Sequence, residues 1–519
     1  MRTTLLTFLL LSFCGLAAVT AADRPNILFL IADDASRNSF GAYGANYVET
    51  PAFDRLAEEG VLFTNAYNNN PKCAPARACL VTGRYSWQLE EATNHNPILS
   101  DKWIFYPYIL EENGYFIGFT GKGWGPGDWK GRNAAENGFR VPNPAGHPYN
   151  DRFLAPPYKG MSKQDYPANF NDFLNAWEDT DKPFSFWLGT REPHRGYEKD
   201  SWKKDGRNLA DVEVQDFYPD NETIRGDLAD YAIEVEWYDK QIGAALKLLE
   251  DRGLLENTLI VATSDHGMPF PRVKGQIYDE GFRVPFVAMW KGTIAPQRVV
   301  SDFITFPDWA PTLLDLLKIE APDQMTGESF LPQLMSKDSG RIDEDRSYTL
   351  LGKERHDVGR VDNGLRSVSY PVRAIRNDFF LYSRNLLPHR WPAGNPEYGY
   401  KNTDGSPTKT YLTDLKPSDP EYHYFEMSFG KRPKEELYDI LNDPHCVNNL
   451  ADNPSYAKIK DRMWKQLQSD LIAHRDPRIL GQGEIFDYYP NSKWERNKKL
   501  YNDPDWNPVK VFEEKYGKK

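Results

Sequence analysis

Positive charge is in short supply along this chain: 63 Lys and Arg stand against 75 Asp and Glu, for a formal net charge of −12. Proteins that hold a nucleic-acid backbone draw most of their affinity from basic surface, so nucleic acid is excluded as a partner. An anionic small substrate is not excluded, because a few Arg, Lys and His can gather in one pocket while exposed charge elsewhere is screened over ~10 Å. Long apolar runs are equally scarce. The one near the N-terminus, Leu5 to Ala18, falls short of the ~20 residues that a spanning helix needs. With Arg2 ahead of it and the small residues Val19, Ala21 and Ala22 behind, it has the layout of a cleavable secretory signal over residues 1–21. That predicts a secreted or periplasmic protein with no stable membrane insertion. Cysteine is rare too: beyond Cys14 there are Cys73, Cys79 and Cys446, and Cys79 with Cys446 makes at most one disulfide. Low-complexity tracts, charge blocks and repeats are absent.

What is there is globular. The chain has 519 residues, 40% of them apolar and 14% aromatic, more than one hydrophobic core usually holds, so a large domain with a smaller one attached is expected. Pro25 to Ala32 is a short, continuously apolar run ending in Asp33-Asp34, the pattern of a strand buried on both faces with polar groups at its carboxyl end. Thr258 to Thr263, followed by Ser264-Asp265-His266-Gly267, repeats that design. Val61 to Ala66, Tyr115 to Thr120, Phe184 to Leu188 and Val284 to Trp290 are further strand candidates, with helical patterns at Asp227 to Arg252 and Trp309 to Leu317. The alternation predicts an α/β sandwich with a large, mainly parallel sheet covered by helices over residues 22–369. Ligands of such sheets sit in the crevice beyond the carboxyl ends of the strands, so both acidic clusters point to one site.

Residues 370–519 read as a smaller α+β subdomain with an antiparallel sheet. Its short strands are Val372 to Ile375 and Phe379 to Ser383, followed by a Pro-, Gly-, Tyr- and Asn-rich loop from Pro388 to Pro420, then Glu436 to Asp439 and an amphipathic stretch from Tyr456 to His474. From Gly481 onward the tail is aromatic and charged, with no role legible in its pattern.

Asp33-Asp34 alone reads equally well as a pair of turn formers. With Asp265 ending a second strand, several carboxylates converge, and they repel one another unless a hard cation such as Ca²⁺ neutralises them. His266 is the awkward member, since imidazole suits transition metals better: it is a weak ligand, a neighbour of the ligands, or a sign of another ion. Cys73 precedes Ala74-Pro75-Ala76-Arg77, with Pro75 suited to a first helical turn and Gly83 to the helix end. A side chain at that helix start feels the positive end of the dipole, which favours anions.

Cys73-x-Pro75-x-Arg77 with Thr82-Gly83-Arg84 resembles the signature of the type I, formylglycine-dependent sulfatases of the alkaline phosphatase superfamily. The resemblance runs on through Arg24-Pro-Asn-Ile-Leu, Gly121-Lys122, Pro193-His194-Arg195, Lys274-Gly275, Gly281-x-Arg283-Val-Pro285, Asp308-x-x-Pro311-Thr312 and Glu436-Leu-Tyr-Asp439. It implies an alkaline-phosphatase-like fold and a Cys73 oxidised to formylglycine (3-oxoalanine) by a formylglycine-generating or sulfatase-maturing enzyme. It further implies Ca²⁺ on Asp33, Asp34, Asp265 and the modified Cys73, with His266 where the family usually has Asn. Arg77 would hold the formylglycine, and Lys122, His194 and Lys274 the sulfate. In the implied chemistry one hydroxyl of the hydrated aldehyde attacks sulfur and the other expels sulfate. One position departs: Trp124 stands where many members carry a His, and His95 is a candidate replacement.

The substrate implied is a sulfated glycan. Gly267-Met-Pro-Phe-Pro271 resembles the heparan N-sulfatase branch, whose relatives also include enzymes on O-sulfated polysaccharides, so both bonds stay open. Arg355 and His356, in Lys353-Glu-Arg-His, and Arg384, opening the run to Trp391, are the expected contacts to an acidic sugar. The rival readings are a phosphate or phosphonate ester hydrolase of the same superfamily and a catalytically silent binder of sulfated glycans.

Overall fold

The computed structural model describes residues 24–129 and 143–518; the expected signal at 1–21 lies outside them. Seven strands form the large sheet: β1 (Asn26–Ala32), β2 (Val61–Tyr67), β3 (Phe116–Gly121), β4 (Phe184–Gly189), β5 (Thr258–Ser264), β6 (Phe286–Met289) and β7 (Arg298–Thr305). They lie in the order β3-β4-β1-β5-β6-β2-β7, with β6 alone antiparallel to its neighbours. The sequence pattern missed β7 and anticipated the rest, because unbroken burial of β1 and β5 demands runs of apolar residues rather than alternation.

Alternate residues of β1 feed two cores. Leu28, Leu30 and Ala32 pack with Tyr231, Val235 and Tyr238 of the long helix Glu222–Asp251. Ile27, Phe29 and Ile31 face the other layer, with Ala74, Cys79 and Leu80 of helix Cys73–Thr82 and Trp309 and Leu313 of helix Phe306–Leu316. Burying a side chain of this size contributes roughly 1.5–3 kcal/mol, so the two packed faces fix where every strand ends.

A second sheet of four antiparallel strands joins Tyr348–Lys353, Val372–Asn377, Phe380–Asn385 and Glu435–Asp439. Helix Ala457–Ala473 lays Met463, Leu467 and Leu471 against Leu350, Ile375, Tyr382 and Leu437. This corrects the expected boundary at 370. The small sheet already starts at Tyr348, and Ala393 and Tyr400 from the following loop, with Leu412 of helix Pro407–Asp414 and Phe429 of helix Tyr422–Phe429, complete the main core rather than a separate one. Cys79 and Cys446 are free thiols buried in different clusters, so the disulfide is not formed. Among the described residues no helix is long and apolar enough to cross a membrane.

Candidate active site

The carboxyl ends of β1 and β5 are hydrogen-bonded neighbours, pairing Ala32 with Ser264, which puts Asp33-Asp34 beside Asp265-His266. Successive residues of a strand point to opposite faces, but Asp34 adopts a left-handed backbone (φ 78°), and its N–H donates to Asp265 Oδ1 at 3.0 Å. The turn breaks the alternation and lets both aspartates face one crevice. Helix Cys73–Thr82 starts at the same crevice and ends on Gly83, whose φ of 64° closes the last turn through its N–H to Cys79 O.

Arg77, fully buried, ties helix to strand ends: Nε donates to Asp265 Oδ2 at 2.8 Å, and Nη1 to the carbonyls of Lys122 and Gly123 at 2.9 and 3.0 Å. Lys122 Nζ donates to Asp33 Oδ1. Lys274 Nζ lies between Asp34 Oδ2 at 2.5 Å and Asp404 Oδ2 at 2.9 Å. Cys73 Sγ sits 3.3 Å from His266 Nε2 and 3.8 Å from Asp34 Oδ1. His194 Nε2 approaches Asp34 Oδ2 at 4.0 Å, while its Nδ1, 2.6 Å from the Arg195 carbonyl, carries the ring proton because a carbonyl can only accept.

Electrostatics follow from this packing. Burial by itself would raise the Asp34 and Asp265 carboxyls. Lys274, His194 and His266 hold the first below the usual carboxylate range, and His266, Arg77 and Lys122 hold the second there. Burial would likewise strip Lys122 and Lys274 of their protons, but Asp33 and Asp34 respectively hold both above the ordinary lysine value. Burial, reinforced by Asp33, pushes the Cys73 thiol up, so the unmodified side chain is a neutral thiol and a poor nucleophile.

The same arrangement tests the fit of a cation. His266 Nδ1 is 3.0 Å from the Gly267 carbonyl and so bears the proton, while burial outweighs Asp265 and Asp34 in lowering the ring's proton affinity. His266 Nε2 lies 3.0 Å from Asp34 Oδ1 and 3.6 Å from Asp265 Oδ1. Carboxylates gathered as closely as Asp33, Asp34 and Asp265 repel one another unless cations lie among them. Donor atoms of Asp33, Cys73, Asp265 and His266 all fall within 4.8 Å of one another, and the residues present fit a divalent ion.

These groups open into a cavity of about 790 Å³ whose wall includes Cys73, Lys122, His194 and Lys274. Nine expected residues thus meet: Asp33, Asp34, Cys73, Arg77, Lys122, His194, Asp265, His266 and Lys274. Three do not, and the expectation that they touch substrate is corrected. Arg355 is buried, with Nη1 on the Tyr489 carbonyl at 2.6 Å and Nη2 on that of Pro490 at 3.3 Å. His356 is buried behind the Lys274 loop, between the Gly275 carbonyl at 3.1 Å and Asn70 Oδ1 at 2.6 Å. Arg384 lies on the small sheet, 3.2 Å from Glu435 and 4.0 Å over the Trp464 ring. Trp124 and His95 both line the cavity. Sequence reasoning missed Lys72, Arg191, Asp357, Asp404, Lys493 and Arg496 in the cavity wall. Lys72 next to the Cys73 motif, Arg191 just before Pro193-His194-Arg195 and Asp357 just after His356 offered a positional signal; the others did not.

Residues 25–319 match the family model described as Sulfatase, and residues 270–375 match one described as N-sulphoglucosamine sulphohydrolase, C-terminal. An ulvan-active sulfatase of Formosa agariphila is 31% identical over 89% of this chain and 83% of its own length. The N-sulphoglucosamine sulphohydrolase of Homo sapiens is 27% identical over 89% of this chain and 93% of its own. A solved Bacteroides thetaiotaomicron sulfatase, described under metabolism of multiple glycosaminoglycans, superposes with a TM-score of 0.64 at 20% identity, covering 90% of this chain and 99% of that one. The likeness shows the alkaline-phosphatase-like fold.

Proposed function

The chain belongs to the sulfatase family of sulfuric ester hydrolases, and from that premise we propose that it removes sulfate groups from a polyanionic glycan outside the cytoplasm, with residue 73 as formylglycine. The observation that carries this reading is the position of Cys73: at a helix start, 3.3 Å from His266 Nε2, opening into the cavity that Lys122, His194 and Lys274 also line. Hydrated formylglycine supplies one hydroxyl for attack on sulfur and a second for release of sulfate. Asp33, Asp34, Asp265, His266 and residue 73 are the groups that would hold a divalent cation, calcium for so oxygen-rich a set, which lends positive charge beside that hydroxyl.

The chain's own residues do the rest. Lys122 and Lys274 offset the charge of the sulfate oxygens, and Lys274, 2% exposed, does so where such stabilisation is strongest. Because Nδ1 of His194 is committed to the Arg195 carbonyl, Nε2 is the atom that holds or gives the proton for the departing oxygen. Arg77 keeps the helix start locked to Asp265, so residue 73 cannot drift from the carboxylates. Every residue of Cys73–Thr82 is buried, so a formylglycine-generating or sulfatase-maturing enzyme reads the motif before the chain folds.

Peptide mass analysis around residue 73 of protein from the native source tests the reading. Formylglycine is expected in active preparations, and cysteine throughout a fully active one would sink it. A Cys73→Ala variant should lose turnover of every sulfate ester. The match to the N-sulphoglucosamine sulphohydrolase C-terminal model favours a second reading, cleavage of N-sulfate, which assays of matched O- and N-sulfated saccharides separate.

A further inference from the structure

The tail beyond Gly481 lies outside both matched family segments, which end at residues 319 and 375, yet it reaches the active-site cavity. We propose that Lys72, His95, Lys493 and Arg496 form a second anion-binding subsite in the cavity wall, which takes another acidic group of the same saccharide, a uronate carboxylate or a further sulfate ester. The proposal rests on the glycan sulfatase reading above.

Lys72 is 2% exposed and lines the cavity, and among the described residues its ammonium has neither an ion-pair nor a hydrogen-bond partner. The contrast with Lys122 and Lys274, each held by a carboxylate, is sharp. A buried ammonium without an anion is unfavourable, and a ligand that brings one completes it. His95 adds an orphan of the same kind. Its Nδ1 accepts from the Asn96 amide at 3.0 Å, so the proton is on Nε2, which is buried and has no partner among the described residues. Burial and then Lys72 hold the ring well below the ordinary histidine range, leaving a neutral N–H donor in the wall.

The tail closes the subsite. Ser492 donates to the Asn96 carbonyl through N at 2.9 Å and Oγ at 3.1 Å, one residue from His95, and Arg355 grips the Tyr489 carbonyl. Lys493 follows directly, and Arg496 projects from helix Trp494–Leu500; neither has a side-chain ion pair among the described residues. Two carboxylates of the cavity wall act on this group, Asp404 on Lys72 and Asp357 on Lys493, and Asp404 is already ion-paired with Lys274, so the three cations outnumber the carboxylates left to meet them. An acidic ligand group, rather than a sugar hydroxyl, restores that balance. The cavity, at about 790 Å³, falls within the ~300–1,000 Å³ that holds a small organic ligand and exceeds what a single sulfate fills.

The test compares the parent with Lys493→Gln/Arg496→Gln, both exposed positions, and with Lys72→Gln. Substrates are a monosulfated oligosaccharide carrying a uronate next to the sulfated sugar, its carboxyl-reduced counterpart, and a disulfated counterpart. The double variant should raise KM for the uronate or disulfated saccharide about tenfold relative to the carboxyl-reduced one, with kcat retained, and the arm that responds identifies the acidic group. Equal KM changes on all three saccharides would overturn the subsite. Calorimetric binding of the desulfated uronate saccharide separates the two readings. If the parent turns over nothing yet binding still weakens about tenfold in the variant, sulfatase action fails and the subsite stands.

Discussion

At the floor of the cavity each cation has its anion: Arg77 with Asp265, Lys122 with Asp33, Lys274 with Asp34 and Asp404. In the wall made by Lys72 and the tail, no cation has an ion pair among the described residues, and the buried N–H of His95 meets no acceptor among them. The floor hangs on strand ends and a buried helix, the wall on loops and a C-terminal segment. A floor whose charged groups are already gathered on strand ends and a buried helix reorganises little when substrate arrives, which is how electrostatic preorganisation lowers a barrier. An unpaired wall gains its partner only from a ligand, so its free energy appears in binding. Changes to the floor should therefore strike kcat, and changes to the wall KM.

Arg77→Lys is the strongest way to break that comparison. An ammonium cannot span Asp265 Oδ2 together with the Lys122 and Gly123 carbonyls, which the planar guanidinium reaches from Nε and Nη1. We expect kcat on an aryl sulfate to fall by roughly 10²-fold or more, in protein whose circular dichroism shows the parental fold. A kcat near the parental value would mean that the buried ties do not position residue 73.

The same division separates what was legible in the sequence from what was not. The floor announced itself because its residues are local: apolar strands ending in Asp33-Asp34 and Asp265-His266, and Cys73 four residues ahead of Arg77 on a helix. The wall is assembled by tertiary contact, which leaves no local pattern. Asp404 sits in an ordinary Thr-Asp-Gly turn, and nothing in the spacing of Lys493 and Arg496 connects them to residue 73. Arg355 and Arg384 were misassigned for a related reason: a loop or strand cation looks the same in sequence whether it meets a ligand, a carbonyl or a tryptophan ring. Strand Tyr348–Lys353 escaped notice because its partner strand lies beyond an intervening loop.

Arg355 sharpens the comparison at intermediate size, since it holds the wall without touching the cavity. Replacing its guanidinium by the apolar side chain of Arg355→Met removes the hydrogen bonds that Arg355 gives to the Tyr489 and Pro490 carbonyls. The tail should loosen, which limited proteolysis would register as faster cleavage at its lysines. KM for the anionic saccharide should rise about threefold, short of the loss in Lys493→Gln/Arg496→Gln. If kcat on an aryl sulfate dropped as far as in Arg77→Lys, wall and floor would be one unit after all.

The smallest effect concerns an unmatched group that serves no ligand. Glu234, on helix Glu222–Asp251, is 3% exposed, lies outside the cavity wall, and among the described residues has neither a hydrogen bond nor an ion pair. Burial, with Glu192 and Asp230 nearby, pushes its carboxyl up to about 9. The folded chain therefore keeps a proton there that the unfolded chain releases above its ordinary value near 4.5. Between those values the native state binds more protons than the unfolded one, so this group makes stability fall as pH rises. Glu234→Gln, which carries the amide permanently neutral, should remove that slope. Its melting temperature should exceed the parent's at pH 8 and approach it near pH 5. Parallel melting curves across that range would show that burial without a partner is tolerated here as readily as in the cavity wall, and the unmatched state of Lys72 would then no longer mark it as waiting for a ligand.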